Sequence, residues 1–152
     1  MKKYAQIIDE ETKSVSVGIG TNTDFYTSIG MELMDVEQGY DGNWYVAGHA
    51  PVKPQELIEA ELQKHYTDLI QRILDVEAQK LGYDNCNSVC TYVDTGVAKF
   101  DAEGVAFRKW RSAVWAKGYE LLAEVQAGAR PVPTEEELVA MLPVLEIVYN
   151  EA

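Results

Sequence analysis

Positive charge is scarce in this chain: 13 lysines and arginines stand against 25 aspartates and glutamates, for a formal net charge of -12 over 152 residues. Binding to phosphates is driven largely by Lys and Arg displacing counterions, so this balance argues against nucleic acid and anionic membrane as partners. Long apolar runs are also missing. Met1-Lys2-Lys3 could open a secretion signal, but Asp9, Glu10 and Glu11 interrupt the apolar run behind it, and no later stretch is long enough to span a bilayer. A cytoplasmic chain is the expectation.

Cysteine is limited to Cys86 and Cys90, and histidine to His49 and His65. A metal site needs about four ligands, or three and a water, and these histidines lie far back in two different elements. Neither a metal nor any other cofactor is expected. The four-residue spacing of the cysteines does not favour bridging geometry, and two small apolar side chains packed in a core is the preferred reading.

Residues 1–50 read as β. In 14–19, Val15, Val17 and Ile19 alternate with Ser14, Ser16 and Gly18 to give one apolar face, and residues 3–8 are rich in β-formers. The polar run 9–13 turns these two into a hairpin. Thr21-Asn22-Thr23-Asp24 reads as a polar loop leading into Phe25-Tyr26 and a turn at Gly30; residues 31–36 give a third strand; Asp41-Gly42 is a tight-turn dipeptide before Trp44-Tyr45-Val46-Ala47. Pro51 and Pro54 make 51–54 the linker, because proline ends the sheet and can occupy the first turn of a helix.

Residues 55–152 read as helical. From about 55 to 81, Leu62, Tyr66, Leu69, Ile73 and Val76 alternate spacings of four and three, widened by Ile58, Ile70, Leu74 and Leu81, with Gly82 as the stop. A short helix and a loop around Asp94-Thr95-Gly96 precede a second long helix, capped by Asp101 and running to about 127. Thr134-Glu135-Glu136-Glu137 is a capping-box sequence for a third, which Pro143 stops. Gly118 costs about 1 kcal/mol against Ala in a helix interior, which implies close approach by another backbone or a bulky ring. The predicted fold is α+β: a small N-terminal antiparallel sheet (1–50), then a helical hairpin with a short terminal helix (55–152). Burying a large side chain is worth roughly 1.5–3 kcal/mol, so Phe107, Trp110, Trp115, Leu69 and Ile73 should dominate the helical part.

No group is spaced as a catalytic centre, so the expectation is a protein that is not an enzyme. The acidic clusters 9–11 and 135–137, and Glu59 with Glu61, suit solvated faces and helix starts, because consecutive acids on a helix diverge around the cylinder. Ser28, Ser88 and Ser112 have no histidine nearby in sequence, and Gly18-Ile19-Gly20 lacks the phosphate-binding pattern and following helix, so it reads as strand-end flexibility. Arg108, Lys109 and Arg111 around Trp110 are the one concentrated cationic spot. They read first as solvent-facing charges paired with Glu103 or other acids, and more sharply as a docking patch; Trp44 and Tyr45 are further partner-binding candidates. The seam of the first long helix serves either the second helix or self-association into a homo-oligomer.

Gly82-Tyr83-Asp84-Asn85, Cys90-Thr91-Tyr92, Ala102-Glu103-Gly104, Trp110-Arg111, Ala113-Val114-Trp115, Val125-Gln126-Ala127-Gly128 and Leu142-Pro143 together resemble small proteins of tailed bacteriophages and prophages, the tail and tail-fibre assembly proteins. Lys3-Tyr4-Ala5-Gln6-Ile7 and Asp41-Gly42-Asn43-Trp44-Tyr45 are similar to the start of tail-fibre-associated proteins. The resemblance implies a non-enzymatic assembly chaperone or minor tail component that contacts a fibre or tail protein, located in the host cytoplasm during assembly or in the virion tail. The alternative is an acidic inhibitor of a host nucleic-acid-binding protein.

Overall fold

A computed structural model describes residues 1–150. The protein is α+β, with antiparallel strands first, then long helices and a short terminal helix. The chain divides into two compact units between Ile58 and Glu59.

The first unit holds β1 (Lys2–Asp9), β2 (Ser14–Val17), α1 (Thr23–Ser28), β3 (Glu32–Gln38) and β4 (Trp44–Val46). The strands close into a small barrel in the order β1-β2-β4-β3, every pair antiparallel. Each strand therefore has two neighbours. Period-two alternation fills the interior: Ala5, Val15 and Val36 are buried, and Ile7, Val17, Met34, Trp44 and Val46 pack against them. The β1–β2 turn is fastened by Asp9, whose carboxylate accepts the Glu11 N–H at 2.8 Å.

Two expectations fail here. Ile19, placed on the apolar face by its alternation, is 95% exposed, because β2 ends at Val17 and the last link to β1 is the Gly18 N–H on the Tyr4 carbonyl at 2.8 Å. The stretch read as a loop into Phe25-Tyr26 contains α1, started by the Asn22 side chain accepting the Phe25 N–H at 3.1 Å. This helix has no buried residue and so shows no hydrophobic period.

The helical part consists of α2 (Gln55–Lys80), α3 (Cys86–Cys90), α4 (Ala98–Gln126) and α5 (Glu135–Met141). Both long helices end on a left-handed glycine, Gly82 (φ 92°) and Gly128 (φ 73°). At each stop the next residue's N–H reaches back into the last turn, Tyr83 to the Ala78 carbonyl and Ala129 to the Glu124 carbonyl. α5 has the expected capping box, with Thr134 and Glu137 each bonding the other's backbone N–H. Asp101 is not the cap of α4. The helix starts three residues earlier behind Val97, and the Asp101 carboxylate in its first turn accepts the Thr95 N–H and hydroxyl, both at 2.7 Å.

α2 and α4 run antiparallel, since Tyr66 bonds the Pro133 carbonyl, Ile70 lies against Gly118, and Tyr83 at the far end bonds Glu103. The core gathers Ile70, Leu74 and Ala78 from α2, Cys86, Val89 and Cys90 from α3, Phe107, Trp110, Val114 and Leu121 from α4, and Leu138 with Leu142. The buried row of α2 is thus 70-74-78, displaced from the expected stripe. Tyr66, Leu69 and Ile73 flank it half-buried, while Val76 and Ile58 are exposed. Trp110 and Phe107 are buried edge-to-face, with ring centroids 5.5 Å apart, and Trp115 is half-buried at the core's margin.

Candidate interaction surfaces

The outer side of the barrel around α1 is the most distinctive surface of the first unit. Gly18 and Gly20 owe their identity to Tyr26. A Cβ on Gly18 would stand 2.7 Å from the tyrosine ring, and the Gly20 N–H donates to the Tyr26 hydroxyl at 2.5 Å. That ring also stacks on Tyr4 of β1, with centroids 6.1 Å apart, and meets Phe25 edge-on at 5.8 Å. Leu33 of β3 pairs directly with Tyr4 across the sheet. Around this seat the side chains of Ile19, Phe25 (52% exposed), Ile29 (46%) and Leu33 (57%) face solvent. Phe25 and Ile29 stand one turn apart on α1, Leu33 lies beside Tyr4, and Ile19 stands between the two glycines that receive the Tyr26 ring. The sequence reading missed it because Gly18-Ile19-Gly20 looked like flexibility, when the glycines are there to admit a ring.

Trp44 and Tyr45, both partner-binding candidates, serve the barrel's own packing. Trp44 is half-buried, with the Lys3 ammonium 5.1 Å from its ring centroid. Tyr45 is buried and donates to the Asp41 carboxylate at 2.6 Å, which holds that carboxyl below its ordinary pKa and the tyrosine above its own. The two line a groove of ≈ 310 Å³ with Ile8, Thr12, Ser14 and Asn43.

On α4 the cationic spot splits by helix face. Gly104, Arg108 and Arg111, at i, i+4 and i+7, form a clasp on α3. Gly104 lets the α3 end approach so closely that an added Cβ would lie 1.6 Å from the Tyr92 carbonyl oxygen. Arg108 Nε donates to the Cys90 carbonyl at 2.8 Å, a cation at a helix C-terminus, and Arg111 Nη1 donates to Asn87 Oδ1 at 3.1 Å. The expected pairing with Glu103 does not occur. Lys109 points elsewhere, into a groove of ≈ 450 Å³ between α4 and the final segment, with Ala102, Val105, Glu146 and Val148.

Residues 143–150 lie on α4 as a strap without regular structure. The Pro143 carbonyl accepts the Trp110 Nε1–H at 2.7 Å, Leu145 and Ile147 pack on the core, and Tyr149 donates to Glu103 Oε2 at 3.0 Å. The Tyr83 hydroxyl donates to the other carboxylate oxygen, Oε1, at 3.1 Å. Glu103 is only 1% exposed, and its two phenolic donors replace the water that burial removes. Burial, then the hydrogen bond to this carboxylate, pushes the Tyr83 hydroxyl up to about 12. Burial and the same carboxylate raise Tyr149.

The thiols of Cys86 and Cys90 are buried and free, with sulfurs 4.0 Å apart, and burial above all pushes Cys86 up to about 12. His49 sits at the Ala47 carbonyl and His65 at Glu135, whose Oε1 is 2.6 Å from Nε2. Ser28 donates to the Phe25 carbonyl. Among the described residues no three His, Cys, Asp or Glu side chains are grouped to hold a metal ion, and no helix is long and apolar enough to cross a membrane. Comparison of the chain with protein-family models, curated proteins and solved structures finds no match.

Proposed function

We propose that the protein is a non-enzymatic component of bacteriophage tail-fibre assembly, either a chaperone of a fibre subunit or a minor tail part, working through protein–protein contact in the host cytoplasm or on the tail. The observation that carries the reading is the apolar face around Tyr26, held out to solvent by a fixed backbone on a closed barrel. The polar groups that chemistry would need are spent on structure: Glu103 on two tyrosines, Asp41 on Tyr45, Asp101 on Thr95, Arg108 on α3. The family resemblance of the sequence supplies the kind of partner.

The test is co-purification with the fibre or tail protein encoded beside this chain, followed by a mass-spectrometric inventory of purified particles and of lysate. Presence in particles makes it a tail component, and presence only in lysate together with the fibre protein makes it a chaperone. Failure to bind any tail or fibre protein refutes the proposal. The net charge of -12 favours a second reading, an inhibitor of a basic host protein, which predicts salt-sensitive capture of a nucleic-acid-binding protein from host extract.

A further inference from the structure

We infer that the strap on α4 is a docking edge: a lone extended segment beside which a partner protein lays a strand of its own, with a basic residue between two β-branched ones. The site belongs to the helical unit and borrows nothing from the assembly reading. Residues 143–150 contain no turn, no bend and no positive φ, and their side chains alternate as those of a strand do. Leu145 and Ile147 face the core, whereas Val144 (83% exposed), Glu146 and Val148 (75%) face solvent. The segment is pinned near both ends, by Trp110 on the Pro143 carbonyl and by Tyr149 on Glu103. From 144 to 149 the backbone N–H and C=O groups have no protein partner among the described residues. Such a row is a template for another chain's backbone, and proteins commonly blunt it with lysine, proline or a bulge. Here the only charge within 144–149 is Glu146. An edge already fixed in extended form costs little further ordering when a strand is added to it.

One flank of the strap has room for the added strand. The groove of ≈ 450 Å³ runs along it, with Glu146 and Val148 on the strap's side and Val105 (41% exposed) and Lys109 on that of α4. A strand laid there would turn alternate side chains down over Val105 and the others outward, level with Val144, Glu146 and Val148. Residues directly opposite on one face of an antiparallel pair favour β-branched partners and opposite charge, and like charges there are unfavourable. The outward face therefore selects valine, isoleucine or threonine opposite Val144 and Val148, and lysine or arginine opposite Glu146. A second strap is the poorer occupant. Laid antiparallel about its centre it would match Val144 with Val148, but it would set glutamate against glutamate between two chains of net charge -12 each.

The probe is a capped seven-residue peptide with valine second and sixth, lysine fourth and threonine elsewhere, titrated into the isotope-labelled full chain and followed by nuclear magnetic resonance. Its companion carries glutamate in place of the lysine. The expected results are shifts and hydrogen-exchange protection at alternate amides within 144–149, and binding of the glutamate peptide weaker by several-fold, in a ratio that salt reduces. Glu146→Lys should reverse the preference. Circular dichroism melting checks that variant's fold, and should it fail to fold, Glu146→Gln takes its place and should erase the preference. No shift at millimolar peptide, or shifts confined to other parts of the chain, overturns the docking edge. Release of Tyr149 from Glu103 on binding also overturns it, because the peptide would then replace the strap rather than lie beside it. Equal affinity for the two peptides overturns the basic occupant. Self-association of the free chain that protects the same amides makes a second copy the occupant and overturns the choice of a partner protein.

Discussion

Gly104→Ala is the sharpest test of how the helical unit is built. The added methyl would stand 1.6 Å from the Tyr92 carbonyl oxygen, 2.7 Å from its carbon and 3.2 Å from the Val89 oxygen. These are backbone atoms and cannot turn aside, so α3 must move away from α4 by well over an ångström. That shift would strain the Arg108 to Cys90 bond one turn along and loosen the packing of Val89 and Cys90. Overpacking of this kind costs about 1–3 kcal/mol or more, against about 1 kcal/mol gained from the better helix former. A net loss of about 2 kcal/mol corresponds to a melting point lower by about 4–8 °C at this chain length. Gly118→Ala is the control. Its methyl would meet only the Ile70 Cδ1, at 3.0 Å, the end of a side chain that can rotate for about 0.5–1.5 kcal/mol, so the helix gain offsets the cost and stability stays within about 1 kcal/mol of wild type. Urea unfolding followed by tryptophan fluorescence reads both. A Gly104→Ala protein as stable as Gly118→Ala would refute the close approach of α3.

Tyr149→Phe removes one of two donors from a buried carboxylate, which should cost about 1–3 kcal/mol and speed hydrogen exchange across the strap, 143–150. Tyr83 favours the fold while neutral: its contribution is complete below the ordinary value of 10 and is lost as pH rises through about 12, so ultraviolet titration should show its tyrosinate appearing late, together with release of the strap. The carboxyls of Asp9, Asp41 and Asp101 lie below the ordinary 3.8 because backbone or side-chain donors hold their charged forms. Their contributions are present above that value and lost as pH falls through the lower folded values, so amide exchange in 9–12, 41–45 and 95–101 should quicken there before the core opens. Cys86, with its thiol pushed up to about 12 and shut in the core, should resist thiol reagents until the protein unfolds; rapid labelling of the native chain would contradict its burial.

What the sequence made legible was whatever rests on a local rule. The alternation of Val15 and Val17, the glycine stops at 82 and 128, and the Thr134–Glu137 capping box act within a few residues, and the structure has each. What it hid depends on distant neighbours. Ile19 continues an alternation after its strand has ended, and only the seat of Tyr26 explains the glycines on either side. α1 packs no residue into the core, so it has no periodicity to read. The stripe of α2 centres on 70-74-78 because Ala78, too small to stand out as apolar, suits a tight contact. Glu103 looked like a surface partner for arginines; its burial depends on Tyr149, 46 positions away. The candidate surface followed the same division, with the arginines named in advance turned inward on α3 and the apolar face around Tyr26 emerging only in three dimensions.

The barrel's completeness hangs on its shortest member. β4 contributes three residues, Trp44–Val46, yet it alone bridges β2 to β3. Prising it out would bare unsatisfied amides and carbonyls along two flanks at once, a template on which further chains could stack into fibrils. Closure of the barrel is thereby entrusted to a handful of ladder bonds and to the indole of Trp44 beneath Lys3, so substitutions there should register first as precipitation rather than as a lower melting point.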